Sequence, residues 1–315
     1  VVCLDGATTV LNTCAFVNMA GVPVAIKISS DPTFTNVTFT NVGLTALGII
    51  GGTLNANGAL EQRNLAGYTN ITQVLLSDLT IANGVNAEVQ AGVVLKLGYV
   101  FGATNIYVNG GFRMLGTSGQ PVVLTSWLDD TYGNPGDTNQ DLATTQPAPG
   151  NWGGVHYNAS ANDPYNTITY ARLRYGGSGC NCTYDHSNDF GVLDFINAGG
   201  NVQNSTLDFN WYGATFRGAS NPVMNACTIE GSSKEPFGQF FEATPSLSNI
   251  TLGSQNNNNG IRLLTYVQGF DASLQPGLIN GFGPVAYVTA GFTISPTATL
   301  TIQPGTAIKL EGYDI

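Results

Sequence analysis

The chain has 315 residues, of which 43% are hydrophobic and only 10% charged, and it carries a net charge of −10. Its ten Lys and Arg are scattered singly, so no basic stripe exists to neutralise phosphates and nucleic acid is excluded as a partner. No apolar run approaches the ~18 residues of a membrane span. Helices need Glu, Lys, Arg and Ala for their solvent faces. This chain fills its polar positions with Gly, Asn and Thr instead, a composition suited to strands and tight turns, and the expected class is all-β.

In chain order the first signal is a long repeat. Residues 12–97 align without a gap on 225–310 at an offset of 213. Identities include Cys14/Cys227, Pro23/Pro236, Asn36/Asn249, Gln62/Gln275, Leu65/Leu278, Lys96/Lys309 and Leu97/Leu310. The organisation this predicts is the C-terminal part of one module over 1–86, a full module over 87–299 and the start of a third over 300–315. Such a register also predicts a natural polypeptide that continues beyond both ends. A shorter period of 21–24 residues lies inside it: 34–39, 168–173, 202–207 and 247–252 each place apolar residues first and sixth, three of the four also fourth (Ser205 stands there in 202–207), often with Asn third. The segment 223–229 is a looser relative. Coils of this length cannot bury an apolar face alone and gain a core by stacking. The third-place Asn suits a left-handed corner and an inter-coil ladder of side chains. Further strands are predicted at 93–97, 105–108, 121–126, 154–157 and 297–303. Two stretches, 127–151 and 176–190, interrupt the rhythm and are read as loop insertions.

The 300–310 segment, LTIQPGTAIKL, and its worn copy at 87–97 resemble a coil of secreted bacterial and archaeal right-handed parallel β-helix repeat proteins. So do 108–126 and, most specifically, the block DD–TYG–GDTNQD over 129–141 followed by PGNWGGV over 149–155. The resemblance implies a right-handed parallel β-helix, or β-solenoid, and an extracellular or cell-surface setting. It implies no reaction. Filaments, surface arrays and adhesins built from further copies of such modules, some touching surface polysaccharide, are the expected context.

The sharpest local chemistry is acidic. Asp129, Asp130, Asp137, Asn139 and Asp141 offer oxygen ligands, and no Lys or Arg lies between Arg113 and Arg172. Carboxylates at that density repel unless a hard cation gathers them. Calcium in a structural role is the expected cofactor, set against a solvated acidic loop. The EF-hand spacing is absent, since Leu142 replaces its Gly and Ala148 its Glu. Trp127, Tyr132, Trp152 and Tyr157 are candidates for stacking on glycans, set against covering the coils beneath the loop. Of the five cysteines, Cys180 and Cys182 form a candidate disulfide at a loop tip, while Cys14 and Cys227 read as small core residues. His156 and His186 have no ligand-spaced partner, so no zinc site is expected. A polysaccharide lyase or glycosidase remains the enzymatic alternative, with Asp129/Asp130 or Asp185/Asp189 as paired carboxylates near Arg172 and Arg174. Its family motifs are absent, and a non-enzyme is expected. Six N-x-[ST] sequons, at Asn36, Asn70, Asn158, Asn181, Asn204 and Asn249, are compatible with secretion.

Overall fold

The computed structural model describes residues 1–98, 104–179, 186–265, 267–279 and 283–311. These form a parallel β-solenoid of about 12 turns, roughly 58 Å long at ~4.8 Å per turn. Each coil contributes short strands to three faces. The first face runs through ten strands from Val2–Cys3 to Thr251–Leu252, and the second through ten from Gly52–Leu54 to Ile308–Leu310. The third runs through seven, from Gly58–Leu60 to Ser246–Ser248. Both predicted insertions fall between a first-face and a second-face strand, 127–151 after Val122–Ser126 and 176–190 after Ala171–Arg174, with 180–185 outside the described residues.

The apolar places of the short period make the core. Leu95, Leu124, Leu173, Leu207, Ile229 and Leu252 are successive partners on the first face, so one column of aliphatic side chains runs down the axis. Val37, Ile168, Val202 and Ile250 are buried as expected, and Phe34, Phe39 and Leu247 pack half-buried against the same cluster. On the second face Tyr157, Phe195, Phe216 and Phe237 form an interior stack, with centroids 5.0, 6.3 and 5.8 Å apart. Tyr157, Phe195 and Phe216 hold identical places on consecutive coils, so like packs on like at low cost in shape, and Phe237 joins them from the place beside Ala214.

The third-place residue turns the corner. Asn36, Asn204 and Asn249 have φ near +50°, which Asn tolerates. Tyr170 and Ala226 take the same conformation at the same place. The expected ladder of Asn side chains is largely replaced by backbone: Tyr170 N donates to Gln203 O at 3.2 Å, Asn204 N to Asn225 O at 3.1 Å and Ala226 N to Ser248 O at 3.1 Å. A side-chain link survives between Asn249 Nδ2 and Asn225 Oδ1 at 2.9 Å. The corner selects a backbone angle, and the amide is one way to reach it.

The long repeat does not return to the same face. Val24–Ile26 lies on the first face, whereas Phe237–Gln239, its counterpart 213 residues on, lies on the second. Gln73–Leu75 and Tyr287–Thr289 show the same step, as do Val94–Leu97 and Ile308–Leu310. Among the described residues the offset spans 22 wall strands, or seven three-strand coils and one strand more. Each repeat therefore advances one face around the axis.

Candidate cation site under the 127–151 loop

Outward-pointing residues of the first face form their own column: Lys96 beside Thr125, then Arg174, Asp208 and Glu230 on successive coils. In an open sheet these would be solvated. Here the 127–151 loop folds back over Lys96, Thr125 and Arg174 as a strap. Asn134 N donates to Thr72 Oγ1 at 2.7 Å, and Thr72 N returns a bond to Asn134 O at 3.1 Å. Thr45 N donates to Thr138 O at 3.0 Å, and Gln140 Nε2 reaches Val42 O at 2.5 Å. With Arg174 at its other end, the strap crosses five consecutive strands of the face, from Leu47–Ile49 to Ala171–Arg174.

The strap brings Asp130, Asp137 and Asp141 together, one oxygen of each within 4.8 Å of the others. Asp137 accepts from the backbone N of Asp141 at 3.1 Å and of Leu142 at 3.2 Å. Asp141 accepts Asn139 Nδ2 at 2.9 Å and Thr144 N at 3.2 Å, bonds that hold its carboxyl below the ordinary range together with a short bond from the Thr145 hydroxyl, the largest influence. Asp130 is pushed up, first by desolvation and then by the charge on Asp137. Asp130 Oδ1 and Asn139 Oδ1 are buried and accept no hydrogen bond. Two oxygens without donors beside two further carboxylates are the donor set a hard cation takes.

Two corrections to the sequence expectation follow. Asp129 does not join the cluster: its Oδ2 accepts Thr125 Oγ1 at 2.6 Å and Arg174 Nη1 at 3.2 Å, and the side chain is buried against the wall. Nor is the acidic loop without bases. Lys96, fully buried, extends its ammonium under the strap to Gly136 O and to Thr138 Oγ1 at 3.3 Å, with Asp130, Asp129 and Asp137 around it. Burial pulls its pKa down to about 8 against the pull of those carboxylates. Counting bases along the sequence misses both Lys96 and Arg174, because stacking joins residues 40 or more apart. A signal was nevertheless present: one Lys interrupts the apolar run at 93–97, and its repeat partner is Lys309.

The aromatic candidates divide. Trp152 is fully buried and donates from Nε1 to Arg174 O at 2.6 Å. Tyr157 belongs to the interior stack and donates to Phe112 O at 3.3 Å. Neither has a face left for a sugar. Tyr132 has the guanidinium carbons of Arg172 and Arg174 over its ring at 5.6 and 5.1 Å, and Trp127 is half-buried. Cys180 and Cys182 lie outside the described residues. Cys3, Cys14 and Cys227 are free thiols, and burial raises that of Cys227.

The paired-carboxylate alternatives also separate. Asp129 and Asp130 point to different partners. Asp189 accepts from Tyr212 at 3.1 Å and lies 2.8 Å from His186 Nδ1, whereas Arg172 and Arg174 serve Asp208 and Asp129. Asp185 lies outside the described residues. His156 sits between Asp194 Oδ2 at 2.9 Å and Asn105 Oδ1 at 3.0 Å, buried beside Tyr107 and Phe190. Both ring nitrogens are engaged, so it is a satisfied structural histidine. No described helix is long and apolar enough to cross a membrane. No protein-family model, curated protein or solved structure matches the chain.

Proposed function

We propose that the chain is a structural segment of an extracellular filament or surface array, in which tandem 213-residue units prolong one solenoid and serve length and stiffness. The observation that carries it is the register of the long repeat. The second copy continues the coils of the first as wall strands, without forming a separate core. A unit of seven coils and one strand adds about 35 Å of rod at ~4.8 Å per coil. Its partners are further copies of the unit, and it performs no chemistry in this role. A chain with residues 87–299 duplicated in tandem tests it by small-angle scattering. The rod should lengthen by about 35 Å at constant cross-section, and two compact bodies on a flexible joint would refute it.

In the same proposal a structural calcium binds Asp130, Asp137 and Asp141, with Asn139 Oδ1 as a neutral ligand. The two unpartnered buried oxygens support it, and the neighbouring Lys96 ammonium opposes it. The expected affinity is therefore modest. The ion would pin the strap to the first face, leaving the coils to stand on their own hydrogen bonds.

A further inference from the structure

A second feature of the surface lies beside the strap, where Gln140 reaches Val42 and Thr45. Between the coils that carry 34–38 and the first-face strand Gln73–Leu75, the chain makes a small hairpin. Leu65 and Tyr68 exchange backbone bonds at 3.0 Å in both directions around Ala66 (φ 54°) and Gly67 (φ 85°). Two central residues with positive φ make the tight, strand-matched turn that fixes such a hairpin. Leu65 is buried in the core and anchors it, while Tyr68 is left half-buried at the surface. The strap braces the other side, with Asn134 Nδ2 donating to Thr69 O at 2.7 Å.

Tyr68 stands as a ridge between two troughs. One, of about 450 Å³, runs along Phe34, Asn36 and Thr38 to Asn64. The other, of about 310 Å³, runs along Asn41 and Thr45 to Gln140 of the strap. Both volumes fall in the range of small-molecule sites. Every residue lining either trough is uncharged. The polar groups are amides and hydroxyls, which donate and accept at once, as sugar hydroxyls do. The apolar lining combines the aromatic Phe34, Phe39 and Tyr68 with aliphatic Val37, Val42 and Leu65. A ring face of this kind covers the C–H face of a pyranose while its edge leaves hydroxyls free to bond. Asn36 at the corner has φ 51° and is exposed.

We propose that the groove across Tyr68 binds a neutral oligosaccharide, one sugar in each trough with the chain passing over the ring. Acidic polysaccharides are disfavoured, because the groove offers no cation and the chain carries −10 overall. The repeat supplies an internal comparison. A cleft of about 250 Å³ recurs on the same scaffold, with Leu247, Gly277 and Leu278 at the places of Phe34, Asn64 and Leu65. Gly281 stands where the first copy has Tyr68. The tyrosine at this place is thus particular to the first copy in sequence. The site does not depend on the filament proposal, since a groove on a monomer suffices for it.

The test is saturation-transfer NMR with calorimetry on the full chain, using cellohexaose, maltohexaose, mannohexaose and chitohexaose, with polygalacturonate as the acidic probe. At least one neutral hexasaccharide should bind, in the millimolar range or tighter, and polygalacturonate should not. Tyr68→Ala should weaken binding by about tenfold, or 1.4 kcal/mol, and Tyr68→Phe should stay close to wild type. Asn36→Gly keeps the left-handed corner, and should weaken binding with the hairpin intact. Absence of binding by all four neutral probes overturns the proposal. So does binding that survives both Tyr68→Ala and Asn36→Gly, or preference for the acidic polymer.

Discussion

Arg174 Nε lies 2.9 Å from Asp208 Oδ2, one coil further along the first face, and both side chains are almost wholly buried. The same guanidinium reaches back 3.2 Å to Asp129 at the root of the strap, and Arg172 binds Asp208 from its exposed side at 2.6 Å. Asp208 is thus the shared anion of two arginines. Replacing it with Ala leaves the buried Arg174 half-compensated. The expected cost is about 3–5 kcal/mol, read as a lower urea midpoint at unchanged slope. A loss below about 1 kcal/mol would mean that the pair behaves as a surface ion pair.

Chelation is expected to act on the strap alone. With a calcium ion bound, a chelator should lower the melting temperature and open residues 127–151 to protease, leaving the far-ultraviolet β signal intact. Asp137→Ala should melt low to begin with and no longer respond to chelator. An unchanged midpoint in both proteins would mean that Lys96, with no metal, is the cation that offsets this cluster.

Much of the wall was legible from the residues. The 21–24-residue period gave the coils because the apolar places recur at fixed positions on each coil, and like places stack on like. Val37, Leu173 and Leu207 needed nothing more. The outer faces were less legible, because their partners arrive from other coils. Lys96 reads as an ordinary surface lysine until the strap covers it. Asp129 reads as one more ligand until stacking supplies Arg174. Trp152 and Tyr157 look alike in sequence to half-exposed aromatics, and only the coil register turns them inward. The step of one face per repeat was invisible in the alignment, which counts residues and not faces.

Lys96 also sets a pH dependence. Its ammonium loses its proton at about 8 in the folded chain and at the ordinary 10.5 when unfolded. Between those values the unfolded chain holds more protons, so the stability contributed by this group rises with pH across the window and is flat below it. Measured against Lys96→Met, the wild type should gain melting temperature from about pH 8 upward. A flat or falling difference would refute the buried, desolvated ammonium.

The same substitution separates the lysine from a metal. Lys96→Met removes a positive charge beside Asp130 and Asp137, so calcium should bind more tightly, by calorimetry, than to the wild type. Weaker binding would mean that Lys96 holds the strap in its cation-ready shape, and that its charge matters less than its bonds to Gly136 and Thr138.

Electron microscopy of the producing cells, with antibody raised against residues 127–151, bears most directly on the structural role. If tandem units prolong one solenoid, surface filaments should carry an axial repeat of about 35 Å, from seven and a third coils at ~4.8 Å each. Label on any one side should return every third unit, roughly 105 Å apart, because each repeat advances one face. Label confined to the cell interior, or surface label with neither spacing, would contradict the account.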